Sequence, residues 1–123
     1  MEKIRVIIKR AGEAGCHEKH IDNSLEALQR IAGGHIECVG IEPGMIVICD
    51  EEGRIKEKPY NCTVSIPERS VEVDFFGDIF FTGTKGEELA SLPDSVTEEM
   101  VSSWIADRDK ANDTADEFLW LFL

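Results

Sequence analysis

The residues of this chain best suited to chemistry lie early. Cys16, His17 and His20 fall in the segment CHEKH, and His35 follows. Thiolate and imidazole are ligands that zinc favours, so a metal site is the first chemistry to weigh. On an extended strand, however, Cys16 and His20 share a face while His17 points away. No paired CxxC or HxxxH supports a site, so the segment reads as a polar edge, with Cys16 and His20 as weak metal candidates.

Nucleophilic and phosphate chemistry have less support. The patterns GxSxG, GxxxxGK[ST], GxGxxG and HExxH are absent from the sequence. All histidines lie between His17 and His35, and no serine there suggests a triad. GTKG, Gly83 to Gly86, reads as a turn, and the paired carboxylates fall in turns or helix starts. No catalytic residue and no cofactor is expected. Asn61, Cys62 and Thr63 match a glycosylation sequon, which has no meaning in a cytosol.

What must position these residues is a chain of 123 residues, long enough for one core without metal or disulfide staples. Its hydrophobic share of 42% and charged share of 31% are those of a globular protein. Runs such as MIVIC and FLWLFL are too short to cross a bilayer, and MEKIRVIIKR lacks the features of a signal peptide. A soluble, cytoplasmic protein with no membrane partner is expected. Four cysteines suit a reducing compartment, with Cys38 and Cys49 as small core residues and Cys62 as a loop thiol.

The net charge is -12. Residues 1–58 carry nine basic and eleven acidic side chains, whereas residues 59–123 carry four basic and fourteen acidic. Such a surface repels phosphate backbones, so direct nucleic-acid binding is not expected. The same charge admits an alternative function: mimicry of nucleic acid toward a basic host enzyme, if Glu98, Glu99, Asp107, Asp109, Asp113, Asp116 and Glu117 form one exposed stripe.

Along the chain, IRVII reads as a strand, AGEAG as a turn and CHEKHI as a short edge strand. In DNSLEALQRIAGG, Asn23 or Ser24 caps a helix whose face carries Leu25, Leu28, Ile31 and Ala32, and Gly33 with Gly34 ends it. HIECVGI and MIVICD flank a Pro43-Gly44 turn and make a hairpin. If those two residues are the whole loop, Cys38 lies opposite Cys49; a one-residue bulge would shift the pairing. Both faces of this hairpin are apolar, so both need cover. DEEG is a turn, RIKEK a charged edge strand and PYNCTVSIPERS irregular. VEVDFFGDIFFTG gives one or two strands with a corner at Gly77 and Asp78, and TKGEELASLPD is a linker.

TEEMVSSWIADRDK reads as a helix capped by Thr97, with Met100, Val101, Trp104 and Ile105 on one face. The chain then ends on six apolar residues, Phe118, Leu119, Trp120, Leu121, Phe122 and Leu123. These, with Trp104, are the candidate interface: they cover the hairpin's second face, contact a second copy, or both. A homodimer is expected. The fold class is α+β: a mainly antiparallel sheet, one short helix on a face and C-terminal helices. The core is residues 1–92 and a helical extension residues 93–123.

SLEALQRIAGGHIECV, then MIVICDEEG, a proline-containing stretch and GDIFFTG, resembles the family known as domain of unknown function 3846. The likeness covers roughly Ile4 to Ser91 and leaves the segment after Pro93 outside. The resemblance implies an accessory protein of bacterial phages, plasmids or other mobile elements, and it supplies no activity. The expected function is therefore a small non-catalytic interaction or accessory protein, with the acidic mimic and a small-molecule-binding protein or enzyme as alternatives.

Overall fold

The structure, a computed structural model, describes residues 2–66 and 69–107. In chain order the elements are β1 (Lys3–Lys9), β2 (His17–Asp22), α1 (Leu25–Ala32), β3 (Ile36–Glu42) and β4 (Met45–Asp50). There follow β5 (Tyr60–Ile66), β6 (Val71–Phe76), β7 (Ile79–Lys85), β8 (Glu88–Ala90), α2 (Glu98–Ser103) and β9 (Ile105–Ala106). Every pairing is antiparallel. One sheet runs β2-β1-β7-β4-β3, with β8 also on β7, and a smaller one runs β6-β5-β9. The mainly antiparallel α+β reading holds.

The short helix forms where the sequence places it. Ser24 Oγ accepts from Ala27 N at 3.2 Å and so caps α1. Gly33 ends it with φ of 81°, a left-handed conformation that costs glycine no steric strain. Leu28 and Ala32 are buried, and Ile31 joins them against Ile4, Val6, Ile8, Ile48 and Phe80 of the large sheet. Leu25, expected on that face, is 58% exposed. An eight-residue helix has no independent stability, so this contact is what holds it.

The β3–β4 hairpin departs from the simple register. Cys38 lies opposite Ile48, not Cys49, and the register shifts between Gly40 and Glu42, leaving Ile41 as the extra residue. The bulge reconciles a Pro43-Gly44 turn with strand twist. It also decides which residues share a face. Ile36, Ile46 and Ile48 face the helix, whereas Val39, Ile41, Met45, Val47 and Cys49 join the core on the other side. Cys38, expected in the core, is exposed.

Both faces of the central hairpin are covered; the chain's tail, expected as the second cover, lies outside the described residues. The small sheet covers the second face. Cys62, Val64 and Ile66 of β5 and Phe75 of β6 pack onto Ile7, Val47, Ile79 and Phe81, with Leu92, Val96 and Val101 closing the side. The stretch expected to be irregular is β5 itself: Pro59 and Pro67 bracket the strand and do not interrupt it. Cys62 is thus a core residue and no loop thiol.

Two further expectations are corrected and one is met. Arg54 to Glu57 of RIKEK lie in a run of turns over residues 51–57, and Lys58 follows it in no strand. VEVDFF and IFFTG are two strands in different sheets, so Gly77-Asp78 is a corner between layers. The presumed linker forms the β7–β8 hairpin.

The C-terminal helix is also shorter than expected. Thr97 caps α2 by accepting from Met100 N at 3.1 Å, but the helix stops at Ser103, and Ile105 and Ala106 pair with Val64 and Thr63 of β5. The open edge of the small sheet offers ladder bonds that outweigh weak helix preference there. Further C-terminal helices would fall outside the described residues.

Candidate functional site

Between the two sheets opens a pocket of about 580 Å³. Its walls come from the end of β1, the loop Gly12 to Gly15, β5, and the α2–β9 segment through Asp107. Local sequence signals do not reveal this site, because its wall depends on β5 and β9, which are strands only by virtue of their pairing with each other and with β6.

At its wall stands Lys9, only 7% exposed. Its Nζ donates to Asn61 Oδ1 and to Arg10 O, both at 2.9 Å. Asn61 in turn donates through Nδ2 to Lys9 O and Gly77 O, each at 2.8 Å. The β5–β6 register shifts between Tyr60 and Cys62, so Asn61 occupies a bulge that aims its side chain inward. The two residues therefore lock the sheets together with every amide atom of Asn61 engaged. Among the described residues, the partners of the Lys9 ammonium are these two neutral oxygens. A buried charge without a counter-ion is costly, which sets Lys9 apart from an ordinary core position.

Two thiols accompany it. Cys16 is buried, and Ser102 Oγ lies 3.7 Å from its Sγ. Burial pushes its thiol up, against the opposing pull of the Ser102 hydrogen bond and Lys9. Burial pushes the Cys62 thiol up to about 12, again with Lys9 pulling down. Both are therefore protonated and poorly nucleophilic at neutral pH.

A second polar cluster sits on the opposite side of the large sheet, where Asp50 is buried at the end of β4. Lys58 Nζ lies 2.6 Å and Lys56 Nζ 3.0 Å from its Oδ2, and Glu52 N donates to Oδ1 at 2.8 Å. Lys58 also donates to Ala32 O at 3.0 Å and Gly33 O at 3.2 Å, satisfying the open carbonyls of α1. Lys58 spends all three of its donors within the fold, so this cluster acts as a clamp between α1 and β4.

A family model described as Domain of unknown function (DUF3846) matches residues 4–105. The chain belongs to this family. The match runs past Ser91 through α2 to Ile105, so the segment after Pro93 is part of the family pattern, contrary to the narrower likeness read from the sequence. It spans both sheets and nearly all of the pocket wall. Neither the curated proteins nor the solved structures contain a match. The resemblance-bearing residues acquire a physical role in the clamp: Gly33 ends α1, Asp50 of ICDEEG receives the lysines, and Gly34 sits where an added Cβ would lie 2.8 Å from Asp50 Oδ2.

The remaining candidates are dispersed. His20 is exposed on β2, opposite Arg5, while Cys16 faces inward toward Ser102. Among the described residues no group of three His, Cys, Asp or Glu side chains is placed to hold a metal. Trp104 is half-buried and packs against its own core, its ring 6.3 Å from that of Phe81. Phe118 to Leu123 lie outside the described residues. Of the proposed acidic stripe, Glu98, Glu99 and Asp107 are described, and Glu98 Oε1 accepts from Glu18 N at 3.3 Å. No described helix is long and apolar enough to cross a membrane.

Proposed function

We propose that the protein is a non-catalytic binding module that holds a small molecule between its two sheets. The pocket carries this reading: about 580 Å³ falls within the roughly 300–1,000 Å³ of ligand sites, and its wall combines apolar groups with a few fixed polar ones. Ile105, Tyr60 and Cys62 supply the former and Lys9 with Asn61 the latter. In the mobile-element setting that the family resemblance implies, such a module serves as a cytosolic accessory factor, and the apolar residues 118–123 join two copies.

A thermal-shift screen of a metabolite library against the wild type and Ala14→Trp tests this. Ala14 is exposed on the loop that lines the pocket, so the indole fills the opening without entering the core. The expected result is a compound that raises the melting temperature of the wild type and leaves the variant unmoved. A library in which every stabilising compound acts equally on both proteins would overturn the reading.

A further inference from the structure

We infer that the pocket selects a small organic acid, whose single anionic group is received by the Lys9 ammonium. This rests on the reading of the pocket as a ligand site and adds the chemical class of its occupant.

An ammonium has three N–H donors. Lys9 spends two, on Asn61 Oδ1 and Arg10 O, and both acceptors are neutral carbonyl oxygens. No carboxylate of the described residues neutralises it. A purely structural role at a position 7% exposed would be filled at lower cost by an apolar side chain, since burying an unpaired charge opposes folding. Asn61 is used up in holding the lysine, so it fixes the direction of the ammonium and leaves one donor over. An anion arriving there completes the set with a charge-assisted bond in a partly dry site.

The loop between β1 and β2 adds to this. Gly12 and Gly15 have φ of 84° and 93° and open space beside them. Among the described residues, the amides of Gly12, Ala14 and Gly15 donate to no protein acceptor. Glu13 N is bonded to Arg10 O, so the adjacent free amides of Ala14 and Gly15 add weakly positive dipoles to this side of the pocket.

The rest of the wall limits the charge of the ligand. Glu13 and Asp107 line the same pocket, and burial keeps the Cys62 thiol there protonated. One buried cation faces two carboxylates, so a ligand with several negative charges is repelled while a single one is accepted. The volume is that of a small molecule and not of a polymer.

The test uses the full chain and a set of small aromatic and aliphatic carboxylic acids, each paired with its neutral primary amide, with the matching phosphate monoesters as a third arm. Binding is read by calorimetry for the wild type, Lys9→Met and Lys9→Arg. The acids are expected to bind and the amides to bind at least about tenfold more weakly, as loss of a charge-assisted bond implies. Lys9→Met is expected to abolish that preference, whereas a lysine with a structural role alone would lower the melting temperature and leave the preference for acids intact. Lys9→Arg, which keeps the charge, guards against misfolding of the methionine variant and is expected to retain part of the preference. Phosphate monoesters that bind more tightly than the carboxylates would overturn the single-charge limit. Amides that bind as well as acids, or a Lys9→Met that keeps the acid preference, would overturn the role of Lys9 while leaving the pocket standing; silence from all three arms would remove the pocket as well.

Discussion

Lys58 Nζ lies 2.6 Å from Asp50 Oδ2, and the same nitrogen donates to Ala32 O at the end of α1. One ammonium thus binds the last turn of the helix to the end of β4 and to the turns of residues 51–57. The Asp50 side chain is fully buried, whereas Lys58 and Lys56 stay partly in water. The carboxylate is the member that cannot be left alone.

Asp50→Asn is predicted to destabilise the protein by about 2 kcal/mol, because the lysines lose their charged acceptor in a buried place. The effect should depend on pH. Burial pushes the carboxyl up, but the hydrogen bonds from Lys58, Glu52 N and Lys56 outweigh it, and the pKa falls from 3.8 to about 2. A lowered folded pKa gives stability that is present above 3.8 and lost as pH falls toward 2. Urea midpoints of wild type and variant should be well apart at pH 6 and converge near pH 2; a constant gap would refute the linkage.

Gly34→Ala is predicted to cost about 1–2 kcal/mol, as overfilling a packed site does. The added methyl would meet Lys56 Nζ at 2.6 Å and Asp50 Cγ at 3.0 Å, and the aspartate is buried and held. The two changes should be non-additive. A double-mutant cycle with Asp50→Asn that shows simple additivity would separate Gly34 from the clamp.

Phe75→Ala is predicted to cost about 3 kcal/mol, because Phe75 is a buried part of the small sheet that covers the central strands. Removal of residues 118–123 is predicted to leave the melting temperature close to that of the full chain and to convert a dimer to a monomer. Light scattering and calorimetry on both variants check this. A truncated chain that stays dimeric would sever the tail from assembly, and one that melts far lower would return the tail to the core.

Among the four thiols, Cys38 should react first. It is exposed, whereas Cys16, Cys49 and Cys62 are buried. Burial pushes Cys49, like Cys62, up to about 12, with Glu37 next in effect at Cys49. Labelling with a disulfide reagent at pH 8 should show one fast equivalent and three that appear only on unfolding. Rapid reaction of Cys62 in the folded protein would mean that the pocket admits the reagent.

Local signals settled a good deal by themselves. Ser24, the apolar spacing of Leu28 and Ile31, and Gly33 dictate α1, because a cap, a stripe and a left-handed end act within a few residues. The unbroken apolar runs of β4 required cover on two sides, since such a strand cannot face water. Which element supplied the cover was decided elsewhere. Pro59 and Pro67 made β5 read as irregular, yet pairing with β6 and β9 makes it a strand. A bulge at Ile41 chose which residues of the hairpin meet the helix, and a second at Asn61 brought that side chain to Lys9, 52 positions earlier. Sequence fixes propensities over a turn or two of chain. The pocket depends on contacts between residues far apart along it, and only the packing of two sheets brings those together.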